Sequence, residues 1–577
     1  MILQVPADKT CSHYVVGLSL TLIATFSFAD QYRTVARDAG KKEQVPNILM
    51  IVADDLGYSD LSTFGGEIET PNLDGLAATG MVMTNFHAAP ACSISRKILF
   101  TGKDMRYRGA DAADTRTTKL PFFTLDKDSV TFPQLLKSQG YGTYIVGKWD
   151  LGPRGSPALA VGNNPMDQGF DRAFWLQNGG GSHYSDMRHM LRAPSNTINY
   201  FDNREKLDTL PASFYSSTSY TDKAIEFISE HTDSGRSPFF LFASYTAPHW
   251  PLHASAKSIE KYEYLYEEGY AAVHQRRIEK MRELGIIDEN QVAANVSFLK
   301  GQWDSLGKEE KQREVKRMQL HAAMVDSLDE NIGRLLSYLK DQDLFENTLI
   351  LFFSDNGADG NNPADLSPDG WIIENFDNSI GNIGNPGSYE ALGPNWATVS
   401  SAPFRLYKAF TSEGGTRSPF IASHGQLVKP GANSDSFATI ADIYPTLIEV
   451  AGISPTDSVY QSQNLSSLKG RSMLSHLSGE ASVVHASDFV HTLEYWSRRS
   501  VRQGKWKATW INEPIGDGQW ELFDIEIDVG EQADLSDMFP EKLQELVQLY
   551  EAYAFEAGVI DDPGFEPRYS NTNNFYD

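Results

Sequence analysis

Four short runs of large apolar residues most tightly constrain how this chain can fold: Asn47 to Ala53, Gly142 to Val146, Phe239 to Tyr245 and Leu349 to Phe353. They are rich in Ile, Val, Leu and Phe and largely lack polar alternation, the pattern of strands buried on both faces of a parallel sheet. Helical segments lie between them. Thr70-Pro71 supplies a capping residue and a first-turn proline, and Gly80 ends that helix. Gln319 to Lys340 carries Leu320, Met324, Leu328, Ile332 and Leu336 at every fourth position, so one face packs on the sheet. The alternation predicts an α/β fold with a mainly parallel sheet sandwiched by helices.

At 577 residues the chain is too long for one simple core. Residues 252–316, rich in Glu, Lys, Arg and Tyr, read as a helical insertion on the surface of a main domain spanning 30–451. From Gly452 the strand–helix alternation stops. Trp506, Trp510 and Trp520 sit in strand-like runs and Glu541 to Phe555 reads as a helix, so 452–577 is expected to form a smaller C-terminal α+β domain. Val15 to Phe28 is apolar apart from Ser and Thr, and Ser27-Phe28-Ala29 resembles a cleavage site. Residues 1–29 therefore read as a signal peptide, and the chain as exported, periplasmic or secreted. No later segment has the ~18 continuous apolar residues a membrane helix needs, so no integral membrane segment is expected in the mature chain. The formal net charge of -26 argues against nucleic acid as a partner, because phosphate binding needs a basic face. It also repels anionic small molecules, so an anionic substrate would need a local cluster of cations.

Each apolar run leads into reactive side chains, at the strand ends where open parallel sheets bind ligands. The first is followed by Asp54-Asp55, the second by Lys148, the third by His249 and the fourth by Asp355-Asn356. Carboxylates and an amide are hard oxygen donors, suited to calcium or magnesium rather than zinc. The chain has two cysteines. Cys11 falls in the expected leader, which leaves Cys92 without a disulfide partner and free for packing, metal binding or chemistry. If Ser93 to Phe100 is helical, Cys92 and Arg96 share a face near its start, where anions are attracted and the Arg96 fork fits a tetrahedral oxyanion. Lys148 and Lys408 would add two point charges. His253 follows His249 by four residues, but Pro251 breaks any helix between them, which favours a substrate-rim position for His253.

Read in order, these residues belong to a longer set of landmarks. They include Pro46-Asn47-Ile48 through Asp54-Asp55-Leu56-Gly57, Thr70 to Asp74, the pentad Cys92 to Arg96 with Thr101-Gly102, and Gly147-Lys148-Trp149. They continue through Gly169-Phe170-Asp171, Ala247-Pro248-His249, Ser354 to Gly357, Pro403 to Lys408, Glu413-Gly414-Gly415, Tyr444-Pro445-Thr446 and Val501 to Lys507. From Pro46 to about Pro540 the chain resembles the formylglycine-dependent sulfatases, arylsulfatase branch, within the alkaline-phosphatase-like superfamily. The resemblance implies hydrolysis of an anionic aryl or carbohydrate sulfate ester. A maturation enzyme would oxidise Cys92 to formylglycine, whose hydrate attacks sulfur. Calcium, with magnesium as the alternative, would be held by Asp54, Asp55, Asp355, Asn356 and residue 92. Arg96 and Lys148 would hold the hydrate and neutralise charge, and His249 and Lys408 would donate a proton to the departing alcohol. His183, in Gly181-Ser182-His183-Tyr184, matches a loop position on the substrate side in relatives.

Three positions depart from the family pattern. Ile94 stands where the pentad has proline or alanine, a position the maturation enzyme reads. Asp150 follows Gly-Lys-Trp where relatives have the histidine that serves as base in the release step. Unperturbed, an aspartate is a far weaker base, with a pKa of about 3.9. Ser412 replaces a histidine found in many relatives. Two other readings stay open on the sequence: a catalytically impaired sulfatase-like protein that binds sulfated ligands, and a phosphodiesterase or phosphonate hydrolase of the same superfamily.

Overall fold

The structure is a computed structural model describing residues 45–103, 125, 129–152, 164–189, 197–235, 238–363, 367, 370–453, 459–460, 463–464 and 468–559. The leader expected at 1–29 and Cys11 lie outside the described residues. From Val45 onward the chain clusters as one compact unit.

The largest sheet has 11 strands. In chain order they are β1 (Asn47–Asp54), β2 (Met81–His87), β3 (Gly142–Lys148), β4 (Arg172–Leu176), β5 (Tyr200–Asp202), β6 (Glu205–Leu207), β7 (Phe239–Pro248), β8 (Thr348–Ser354), β9 (Arg417–Ser423), β10 (Ala432–Ser434) and β11 (Ala438–Thr439). Its middle, β8-β1-β7-β3-β4, is parallel throughout. β9 runs antiparallel between β8 and β2, and β5 and β6 form an antiparallel edge. Each of the four predicted strands is present and extends to or toward the polar residues that follow it. β1 is buried along its whole length. Leu49, Ile51 and Ala53 enter the core on one face, and Ile48, Met50 and Val52 the core on the other. A strand covered on both faces has no polar alternation to display, and each buried Leu or Ile contributes about 1.5–3 kcal/mol.

The helices are α1 (Pro71–Thr79), α2 (Cys92–Thr101), α3 (Phe132–Ser138), α4 (Ser216–Asp233), α5 (Ala256–Glu260), α6 (Tyr270–Glu283), α7 (Phe298–Ser305) and α8 (Lys308–Asp341), followed by further ones. α2 and α3 cover one face of the sheet through Leu99, Phe100, Phe132 and Leu135. α4 and α8 cover the other through Phe227, Ile228 and the predicted Leu320, Met324, Leu328, Ile332 and Leu336 stripe. α8 begins eleven residues before the predicted Gln319. Its first turns are charged and show no apolar period, but Glu310 Oε2 reaches back to accept the Gly307 N–H at 2.7 Å and fixes the start. The segment expected as a surface excursion is helical, and one face of it is interior: Tyr262, Tyr266, Tyr270, Val273 and Met281 join the same core as α8.

Toward the C-terminus, two short strands, β12 (Val459–Tyr460) and β13 (Gln463–Asn464), pair antiparallel. A four-stranded antiparallel meander follows: β14 (Val490–Tyr495), β15 (Arg498–Gln503), β16 (Trp506–Trp510) and β17 (Trp520–Asp524). The helix Pro540–Ala557 packs on it through Leu546 and Tyr550. The architecture is thus a mainly parallel α/β sheet between helical layers, with a small antiparallel sheet beside it.

Candidate active site

The parallel strands deliver their polar ends to one buried point. β1 ends in Asp54 and turns at Asp55, which adopts φ 65°. Lys148 is the last residue of β3, Asp355 and Asn356 follow β8, and His249 follows β7. Cys92 is the first residue of α2, its Sγ 3.4 Å from Asp55 Oδ1. Arg96, one turn on and fully buried, ties three strand ends together. Its Nε and Nη2 donate to Asp355 Oδ2 at 3.1 and 2.9 Å, and its Nη1 to Lys148 O at 2.8 Å and Ser244 Oγ at 2.6 Å. Lys148 Nζ is 2.8 Å from each Asp54 oxygen. Lys408 Nζ is 2.8 Å from both Asp55 oxygens and 2.9 Å from Asp359 Oδ2. Asn356 Nδ2 donates to Asp55 Oδ1 at 2.7 Å, and His249 Nε2 stands 3.4 Å from Asp55 Oδ2.

Charges this crowded, away from water, shift one another's protonation. Burial pushes the Asp55 carboxyl up to about 8. Lys408 pulls it down, while Asp54, Asp359 and Asp355 add to the rise. Asp355 is raised by burial and then by Asp54, against the pull of Arg96. Burial, then Asp355 and Asp55, lift the Cys92 thiol well above its ordinary value. Burial, then Lys408 and Lys148, hold His249 well below the usual imidazole range, so its ring is neutral. Burial opposes the charge on Lys148, but Asp54, Cys92 and Asp150 together more than offset it and the ammonium is kept protonated.

The residues present fit a hard divalent cation. Asn356 Oδ1 and Asp54 Oδ2 are buried and have no hydrogen-bond partner among the described residues; Asp54 Oδ2 lies near Lys148 Nζ but off the hydrogen-bonding direction. Oxygens left bare inside a protein are costly unless a cation takes them up. Ligand-capable atoms of Asp54, Asp55, Cys92 and His249 lie within 4.8 Å of one another. His249 therefore joins the cluster that the sequence assigned to Asp54, Asp55, Asp355, Asn356 and residue 92, while Asp355 is largely engaged by Arg96.

The remaining sequence candidates fall around this centre. Asp150 is buried at φ 54°, its Oδ2 3.6 Å from Lys148 Nζ. His183 and His253, expected at the substrate rim, are buried, as Arg96 and Lys148 are. His183 pairs Nδ1 with Ser216 Oγ at 2.7 Å and Nε2 with His249 O at 3.0 Å. His253 accepts the His183 N–H at 3.3 Å and pairs Nε2 with Ser388 O at 3.1 Å. Both stand behind the His249 turn because their ring nitrogens meet backbone and hydroxyl partners there. Ser412 is buried at the start of the short helix Glu413–Thr416. Two site neighbours escaped the sequence reading. Ser244 was visible as the only aliphatic hydroxyl inside the apolar run Phe239 to Tyr245. Asp359, whose Oδ1 accepts from Asn361 N and Nδ2 at 2.7 and 2.6 Å, sits in a loop with no local signal.

Comparison with known proteins gives a consistent picture. Residues 46–453 match the family model described as Sulfatase. The chain is 36% identical over 534 residues to an uncharacterised sulfatase of Schizosaccharomyces pombe, covering 90% of this chain and 95% of that protein. It is 36% identical over 428 residues to the arylsulfatase of Klebsiella aerogenes, covering 72% of this chain and 89% of that one. Among solved structures, Ps i-CgsB in complex with k-i-k-neocarrahexaose superposes with a TM-score of 0.63 at 22% identity, over 90% of this chain and 95% of that one, a likeness of fold.

Proposed function

The chain belongs to the sulfatase family and is a sulfuric ester hydrolase, and on that premise we propose an exported, calcium-dependent hydrolase of aryl or carbohydrate sulfate esters whose nucleophile is made from Cys92. The observation that carries this reading is the convergence of Cys92, His249 and Lys408 on Asp55, of Lys148 on Asp54 and of Arg96 on Asp355, around the unpartnered Asn356 Oδ1. An aldehyde hydrate at residue 92 would supply the attacking oxygen, and a cation among Asp54, Asp55, Asp355 and Asn356 the Lewis acidity. A formylglycine-generating enzyme is the partner this maturation requires, and magnesium is the alternative ion.

The chain's own residues have separable tasks. The start of α2 with Arg96 and Lys148 offers donors to the sulfate oxygens, in a site where water no longer weakens each charge. His249 Nδ1 lies 2.6 Å from Trp250 O, so the neutral ring puts its hydrogen there and turns a bare Nε2 toward the site. Lys408, an ammonium, is then the standing donor to the oxygen of the departing alcohol, and His249 donates only as imidazolium. His183 holds the His249 carbonyl and so sets that turn. Asp150 is the carboxylate nearest Lys148 after Asp54 and takes the place of the family's release base.

The test joins three measurements on the protein purified from its native host. Mass spectrometry of the residue-92 peptide should show the aldehyde or its hydrate, metal analysis should find calcium, and 4-nitrophenyl sulfate should turn over in wild type but not in Cys92→Ala. An unmodified thiol with no turnover of any sulfate ester would overturn the reading and leave a ligand-binding protein on the same scaffold. Stoichiometric zinc in place of calcium would overturn the cation assignment.

A further inference from the structure

Lys408 rides on a segment held from two sides. Toward the large sheet, its N–H donates to Ala358 O at 3.0 Å and the Ala409 N–H to Pro90 O at 2.7 Å. The opposite side rests on the small antiparallel sheet. Arg498, the first residue of β15 and 1% exposed, donates from Nη1 to Ala409 O at 2.8 Å. Its guanidinium also lies 3.9 Å from the centre of the Phe410 ring. On the other flank, Arg405 Nη2 donates to Thr509 Oγ1 of β16 at 3.1 Å and to Glu521 Oε2 of β17 at 2.8 Å. Farther along, Lys507 of β16 bridges Glu413 and Glu531 at 2.8 and 2.9 Å. Between these anchors Leu406 and Ala409 adopt φ 60° and 74°, conformations a side-chain-bearing residue keeps only where its surroundings impose them.

We infer that the small antiparallel sheet is the outer half of the mount for Lys408, and that Arg498 is a positioning residue. Its hydrogen bond to the carbonyl one residue beyond Lys408 sets where the ammonium stands relative to the departing oxygen. A charge-assisted bond to the neighbouring peptide fixes the backbone from which the Lys408 side chain extends, and a displacement of about 1 Å in a reacting group can cost about a hundredfold in rate. The inference rests on the donor role given to Lys408 above.

The test uses the full chain with Arg498→Met and Arg498→Lys; the lysine variant keeps the buried positive charge should the methionine variant fail to fold. Hydrogen–deuterium exchange should accelerate in the peptide covering 404–412 while the peptide covering β1 stays protected as in wild type. Turnover should fall about tenfold on phenyl sulfate, whose leaving group needs the donor, and under about threefold on 4-nitrophenyl sulfate, whose leaving group barely does. A merely structural role would lower both substrates alike. Wild-type exchange at 404–412, or equal losses on the two substrates, would overturn the inference. If the wild type turns over no sulfate ester, the functional reading has failed, and the exchange measurement alone decides whether Arg498 holds the Lys408 segment.

Discussion

A Cβ on Gly179 would stand 2.9 Å from Lys148 Nζ and 3.4 Å from His249 Nε2. The backbone there thus forms part of the wall of the site and leaves no room for a methyl group. Lys148 cannot simply yield, because it is 1% exposed and paired to Asp54. Gly179→Ala is expected to lower kcat/KM for sulfate esters about tenfold by tilting Lys148 off Asp54, with thermal unfolding within a few degrees of wild type. Steady-state kinetics and a melting curve check it; unchanged kcat/KM would show that Lys148 tolerates displacement. At this scale the sequence disclosed what strand ends announce. Asp54, Asp55, Lys148, Asp355 and Asn356 were readable because each breaks an apolar run. Asp359 was not, because it reaches the site through loop geometry. His183 was placed on the substrate side by its match to a loop of relatives and His253 by the Pro251 break, and neither signal tells which partners hold the rings.

The turn after β1 is braced by a second buried set of charges. Asp60 Oδ2 accepts the Gly57 N–H at 3.0 Å, and the Asp60 carboxylate takes Arg277 Nη1 of α6 at 2.7 Å and His321 Nε2 of α8 at 2.8 Å. Burial pushes Asp60 up, but His321 and Arg277 more than offset it and leave it at about 2. A carboxyl depressed below its unfolded value of about 3.9 adds stability that is present above that value and lost as pH falls through the folded one. The stability gap between wild type and Asp60→Asn should therefore shrink by about 2 kcal/mol from pH 5 to pH 2. Urea midpoints across that range measure it, and a gap independent of pH would show that Asp60 is not held by these partners. The brace explains why the interior face of α6 resisted reading: the charged residues that made 252–316 look peripheral include Arg277, which is 1% exposed. β9 was missed for the opposite reason. Its Pro419 speaks against a strand, yet the chain pairs antiparallel on both sides around it.

Over the whole molecule the electrostatic question is how an acidic protein admits an anion. The net charge is -26, and the site does not reverse that sign by itself: even with Asp55 pushed up to about 8, the carboxylates of Asp54, Asp150, Asp355 and Asp359 outnumber Arg96, Lys148 and Lys408 there. A divalent cation would bring the set near balance without making it strongly attractive. Approach of the substrate is then governed by the surrounding negative field, which reaches about 30 Å at 10 mM ionic strength and about 8 Å at 150 mM. Raising sodium chloride across that range should increase kcat/KM for a sulfate monoester about two- to threefold through faster encounter, with kcat unchanged, because the paired charges inside the site are screened far less. A fall in kcat/KM over the same range would mean that the local cations reach past the protein's own field, and that Arg96, Lys148 and Lys408 steer the ester from a distance as well as holding it once bound.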